Sequence, residues 1–188
     1  MFRSGNINRI LWSGRPSVGF TLIELLVVIA IIGLLSTISI LALNSSRHRA
    51  KIAAVQSDIS QFMRAVAIAQ GETNKVLLQI TGSGCSICTG ACGGSYGGVR
   101  DLRNVPESDT CYVRWITDLN NIEIASGGIA LGVNKLKRDP WGSPYLLDEN
   151  ECEGGGTWAD TIRSAGPDGL WPSSDDIAFT IPKANICP

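Results

Sequence analysis

The chain of 188 residues is poor in the side chains that most enzymes depend on. It has a single histidine, His48, and its charges nearly cancel, with 16 basic side chains against 17 acidic ones. His48 lies among Arg47, Arg49 and Lys51, so no Ser/His/Asp or Cys/His set can be assembled except at that basic cluster. No glycine-rich loop follows a strand-like run to cradle a phosphate. Balanced charge also provides no overall field for capturing nucleic acid. Neither catalysis nor nucleic-acid binding is expected, and no internal repeat is detectable.

Charge is missing altogether from Leu25 to Leu43 (LLVVIAIIGLLSTISILAL). A helix needs about 20 such residues to cross a bilayer, so this run reads as a membrane span. No acid occurs between Met1 and Gly19, where Arg3, Arg9 and Arg15 favour a cytoplasmic N-terminus. Arg47, Arg49 and Lys51 on the other flank nearly balance that bias, but a long domain translocates largely regardless of flanking charge, which places the C-terminal part outside.

Proline and glycine are missing from Leu34 to Gln70. Beyond the apolar run, Ile52, Val55, Ile59, Phe62, Val66 and Ala69 recur at steps of three and four, the period of an amphipathic helix. Span and amphipathic segment therefore read as one helix that Gly71 is suited to end. Glycine is plentiful after it. Gly82 to Gly98 (GSGCSICTGACGGSYGG) reads as a loop, and strands are expected at Cys111–Ile116, Trp141–Leu147, Thr157–Ser164 and Asp176–Ile181. The fold class is α+β: a long N-terminal helix packed on a small antiparallel sheet.

All six cysteines, Cys85, Cys88, Cys92, Cys111, Cys152 and Cys187, fall in the exterior part. An even number outside the membrane favours disulfides, with the pairing left open. The close spacing Cys85-x-x-Cys88-x-x-x-Cys92 also allows a metal or redox role.

The junction before the apolar run reads Gly19-Phe20-Thr21-Leu22-Ile23-Glu24. An ordinary secretory signal is cut after its apolar core, whereas here the plausible cut precedes it. This segment resembles the cleavage and methylation motif of type IV prepilins and type II secretion pseudopilins. The resemblance implies that a prepilin peptidase cuts between Gly19 and Phe20 and that the new amine of Phe20 is methylated. A carboxylate at the head of a lipid-embedded helix costs about 3 kcal/mol unless it is paired. The α-amine of Phe20, protonated at neutral pH, would pair with Glu24 of a neighbouring subunit and set the axial register of a filament. Thr21-x-x-Glu24 is equally a capping box. Many family members kink this helix at a proline where this chain has Leu41.

Downstream, Asp139-Pro-Trp-Gly-Ser-Pro-Tyr145, Ser164-Ala-Gly-Pro-Asp-Gly169 and Ser173-Ser-Asp-Asp-Ile177 together resemble the C-terminal region of the major pseudopilin of type II secretion. The resemblance implies a calcium ion held by Asp168, Asp175 and Asp176, with backbone carbonyls near Ala165. Calcium takes six to eight oxygens in flexible geometry, which such a loop can supply, while turn and cap roles are the ordinary use of these acids. Trp141 and Tyr145 read as core anchors.

The implied organisation is a cleaved leader (1–19), a transmembrane and assembly helix (20–43), its amphipathic continuation (44–71), a cysteine-rich variable region (72–138) and a C-terminal sheet with the calcium-type loop (139–188). The expected role is mechanical. The protein waits in the inner membrane, N-terminus in the cytoplasm, until an assembly platform extracts it into an extracytoplasmic filament of identical subunits with minor pilins or pseudopilins. The machine is a type II secretion system or, alternatively, a type IV pilus for adhesion, motility or DNA uptake. A non-polymerising, membrane-anchored calcium module is the third reading.

Overall fold

The computed structural model describes residues 19–82, 87, 90–94, 97–130, 132–151 and 158–184, with the side chains of 38–42 outside the description. Helix α1 runs Leu22–Thr73 and α2 Leu77–Thr81; strand β1 is Arg100–Asp101 and helix α3 Thr110–Ala125. A 3-10 turn at Val133–Lys135 precedes strands β2 (Leu146–Asp148), β3 (Thr161–Ser164), β4 (Leu170–Trp171) and β5 (Ile177–Thr180). Strands β2, β3 and β5 form an antiparallel sheet in that order, and β1 pairs with β4. The fold is α+β, as expected.

The chain divides into two compact units, Met1–Ser46 and Arg47–Pro188. In the first, the described apolar side chains of α1 stand exposed, from Leu22 at 82% to Val28 at 45%. Among the described residues no helix is long and apolar enough to cross a membrane. The charge-free run Leu25–Leu43 includes 38–42, whose side chains are not described. Helix α1 continues through Leu41 without a break in its assignment.

In the second unit, Val55, Ile59, Phe62, Val66 and Ala69 of the amphipathic stripe are all buried, while Ile52 at its start is half-buried. They pack into one core with Trp115, Leu119 and Ile122 of α3 and Leu147 and Ile162 of the sheet. Trp115 sits centrally, 5.3 Å from the Phe62 ring and 5.7 Å from that of Tyr145, and its indole N–H donates to the Leu136 carbonyl at 2.7 Å. A second core gathers Leu102, Tyr112, Leu146 and Trp171 around Cys92 and Cys111.

Three expectations need correction, and a fourth in part: the strand expected at Thr157–Ser164 begins only at Thr161, with 158–160 outside any strand and Thr157 outside the described residues. Cys111–Ile116 is the start of helix α3, not a strand. Asp109 caps it by accepting from the Cys111 amide at 2.9 Å, and the buried positions Cys111, Tyr112, Trp115, Asp118, Leu119 and Ile122 follow a helical period that outweighs the β-forming tendency of Tyr, Val, Trp and Ile. Gly71 does not end α1. The helix runs on to Thr73, and Asn74 takes the left-handed conformation at φ 52°, which asparagine tolerates, with its amide bonded to the Gln70 carbonyl at 2.8 Å. Trp141–Tyr145 is a turn built on Asp139, whose Oδ1 accepts from the Trp141 and Ser143 amides at 2.9 and 3.0 Å, so β2 begins only at Leu146.

Candidate functional site

At the head of α1, Thr21 and Glu24 form a reciprocal capping box. Glu24 Oε2 accepts from the Thr21 amide at 2.9 Å and from its hydroxyl at 2.8 Å, while the Glu24 amide donates to Thr21 Oγ1 at 3.3 Å. These bonds satisfy amides that a helix start otherwise leaves unpaired. Both side-chain bonds use the same carboxylate oxygen. Gly19 and Phe20 precede the helix and are exposed. A Cβ built at Gly19 meets nothing within 4 Å, so the fold of this chain does not itself require glycine there.

The acidic loop lies between β3 and β5. Asp139 Oδ2 accepts from the Ser164 hydroxyl at 2.6 Å, and Ser164 Oγ accepts from the Gly166 amide at 3.1 Å, so a buried acid anchors the loop's first arm. Burial pushes the Asp139 carboxyl up against the lowering effect of the Ser164 hydroxyl and the Ser143, Trp141 and Gly142 amides. Gly166, at φ 67°, lies so near the Asp175 carbonyl that any Cβ would collide with it, so glycine there lets the two arms approach.

The three predicted ligands converge on one atom. Ser173 Oγ lies 3.3 Å from Asp168 Oδ1, 2.5 Å from Asp175 Oδ1 and 3.5 Å from Asp176 Oδ1. One hydroxyl proton cannot serve three carboxylates. Each acid also accepts a loop amide: Asp168 from Leu170 at 2.8 Å, Asp175 from Asp168 at 3.0 Å and Asp176 from Ser173 at 2.8 Å. The turn role and the clustering coexist. Partial burial, together with the charges of Asp175 and Asp168, pushes the Asp176 carboxyl up. Among the described residues, no group of three or more His, Cys, Asp or Glu side chains is placed to hold a metal ion. The donors are all oxygen, which suits a hard cation such as calcium, and occupancy would require the carboxylates to turn from the loop amides. Ala165 is buried at the base of the first arm. Ser173 is the member that the sequence left without a role, although it stands two, three and five residues from the acids it joins.

Of the cysteines, Cys92 and Cys111 form a disulfide, both fully buried. Beside it, Arg100 pairs with Asp109 and donates to the Ala91 carbonyl, so a covalent and an ionic tie meet at the head of α3. Cys85, Cys88, Cys152 and Cys187 lie outside the described residues.

Residues 19–40 match the family model described as the prokaryotic N-terminal methylation motif. No curated protein and no solved structure matches the chain. The matched segment covers the capping box and the exposed apolar half of α1, and it supports the type IV pilin and pseudopilin class, with processing by a prepilin peptidase.

Proposed function

We propose that this protein is a structural, non-enzymatic subunit of a pilus-like filament, most closely a major-pseudopilin-like component of a type II secretion system. The methylation motif at residues 19–40 carries the reading. Two features support it. Gly19 is under no steric demand from its own chain, so its requirement arises in a peptidase that must admit the backbone closely. The apolar residues from Phe20 to Leu35 are exposed over many consecutive turns, a surface that lipid covers before assembly and neighbouring subunits cover afterwards. Glu24 then has two roles: it caps its own helix and meets the Phe20 amine of the next subunit.

In this reading the subunit sits in the inner membrane, with the Arg47–Pro188 unit outside, until the assembly platform extracts it. Calcium, if held by Asp168, Asp175, Asp176 and a carbonyl near Ala165, would neutralise the mutual repulsion of the loop's carboxylates. The close approach at Gly166, the clustering of the acids at Ser173 and the Asp139–Ser164 anchor support this reading.

The testing experiment is N-terminal sequencing with intact mass of the protein from its native membrane. A chain beginning at Phe20 with one added methyl supports the filament reading; a chain beginning at Met1, or cut beyond Leu43, overturns it. The disulfide-tied region before α3 favours a second reading, a surface pilus that displays that region, and a long surface fibre rather than a short envelope-bound filament would select it.

A further inference from the structure

Asp118 on α3 and Glu149, the residue after β2, are buried at 0% and 1% exposure, and none of their four carboxylate oxygens has a hydrogen-bond partner among the described residues. Carboxylates are rarely buried in this way, because an ionised group without donors loses its hydration with nothing in return. The charge of Glu149 acts on Asp118, and both stand close to the seam between α2 and α3. Asn121, one turn beyond Asp118, donates to the Thr81 carbonyl at the end of α2 at 3.0 Å. The Thr81 hydroxyl gives its proton to the Leu77 carbonyl at 3.0 Å and lies beside Glu149.

We propose that Asp118 and Glu149 form a proton-operated latch at this seam: Asp118 stays protonated at neutral pH, and Glu149 exchanges its proton with the medium, loosening the α2–α3 contact with the chain leaving β2 as conditions turn alkaline.

The surroundings are predominantly acidic. Glu149 opposes the charge of Asp118 and Arg114 favours it, while Asp160 and Asp148 oppose that of Glu149. Glu151 lies next to Asp160, which accepts its amide at 2.6 Å. Burial first, then these charges, push Asp118 up to about 9 and Glu149 up to about 7. Because both values are raised, the folded chain keeps protons that the unfolded chain releases from about pH 4 upward. The stabilising contribution is therefore greatest in acid and declines as pH climbs through about 7 and then about 9.

The test is thermal unfolding of the full chain in detergent at pH 6 and pH 9, for the native protein and for Asp118→Asn combined with Glu149→Gln. The native midpoint should fall by roughly 5 °C or more between the two pH values, and the double variant should lose most of that fall. An equal fall in both proteins overturns the latch, since other raised acids such as Asp139 and Asp160 would then account for it. If the variant does not fold, carboxyl carbon NMR of the native chain decides. Inflections for Asp118 and Glu149 well above the ordinary carboxylate range support the proposal, and inflections near pH 4 overturn it.

Discussion

Tyr145 donates its phenolic proton to Asp58 Oδ2 at 2.7 Å, joining residues 87 positions apart in the chain. The bond pins the amphipathic part of α1 to the segment entering β2, one ring away from the central Trp115. Burial, and then Asp58, push the Tyr145 phenol far up, so the bond survives mild alkali. Tyr145→Phe keeps the ring and removes the bond. Stability should fall by about 1–2 kcal/mol, measured by denaturant unfolding of the full chain. A change within error would mean that water replaces the phenol at Asp58.

Trp115→Ala should be far more damaging. It removes a fully buried ring that touches both Phe62 and Tyr145, and it leaves the Leu136 carbonyl without its donor. The cost should be about 3–5 kcal/mol, visible as loss of the cooperative unfolding transition at physiological temperature.

The Cys92–Cys111 disulfide closes a loop of 19 residues. Replacing both cysteines with serine should lower stability by about 3 kcal/mol. The neighbouring Arg100–Asp109 pair is partly exposed, so Arg100→Met should cost much less. An Arg100 variant as damaging as loss of the disulfide would show the ionic tie to be the stronger of the two.

Capping and assembly can be separated at Glu24. Thr21→Val removes the hydroxyl that bonds Glu24 and should cost about 1 kcal/mol of helix stability while filaments still form. Glu24→Gln keeps an oxygen for the cap but loses the charge, and filaments seen by electron microscopy should disappear while cleavage after Gly19 continues. Glu24→Leu should behave likewise. Normal filaments from either Glu24 variant would show that assembly does not need the carboxylate charge, whereas processing of the native chain without any filament would favour a membrane-anchored module that does not polymerise.

For the acidic loop, a chelator should lower the thermal midpoint of the full chain, and excess calcium should restore it. Asp175→Asn should abolish the response, because Asp175 both bonds the Asp168 amide and faces Ser173. No shift with chelator and calcium would leave these acids as turn and cap residues only.

The amphipathic half of α1 was legible because its stripe is continuous and contains no polar residue. Helix α3 was missed because Asp118 interrupts its stripe and because Tyr112, Val113, Trp115 and Ile116 form a short run that suits a strand equally well. The helical signs were present: Asp109 as a cap, and Cys111, Trp115, Leu119 and Ile122 at steps of four and three. The acids of the calcium-type loop could be picked out by resemblance, but their convergence on Ser173 could not, since it depends on how Gly166 lets the two arms approach.

Read alone, the sequence determined the processing motif, the uncharged apolar run and the period of the helix beyond it. Each is a local pattern, set by neighbouring residues and the geometry of one helix. Only the tertiary structure decided that Cys92 pairs with Cys111, that Tyr145 reaches Asp58, and that Asp118 and Glu149 are buried at one seam. Those relationships join distant segments, and they exist only once the core has brought the segments together.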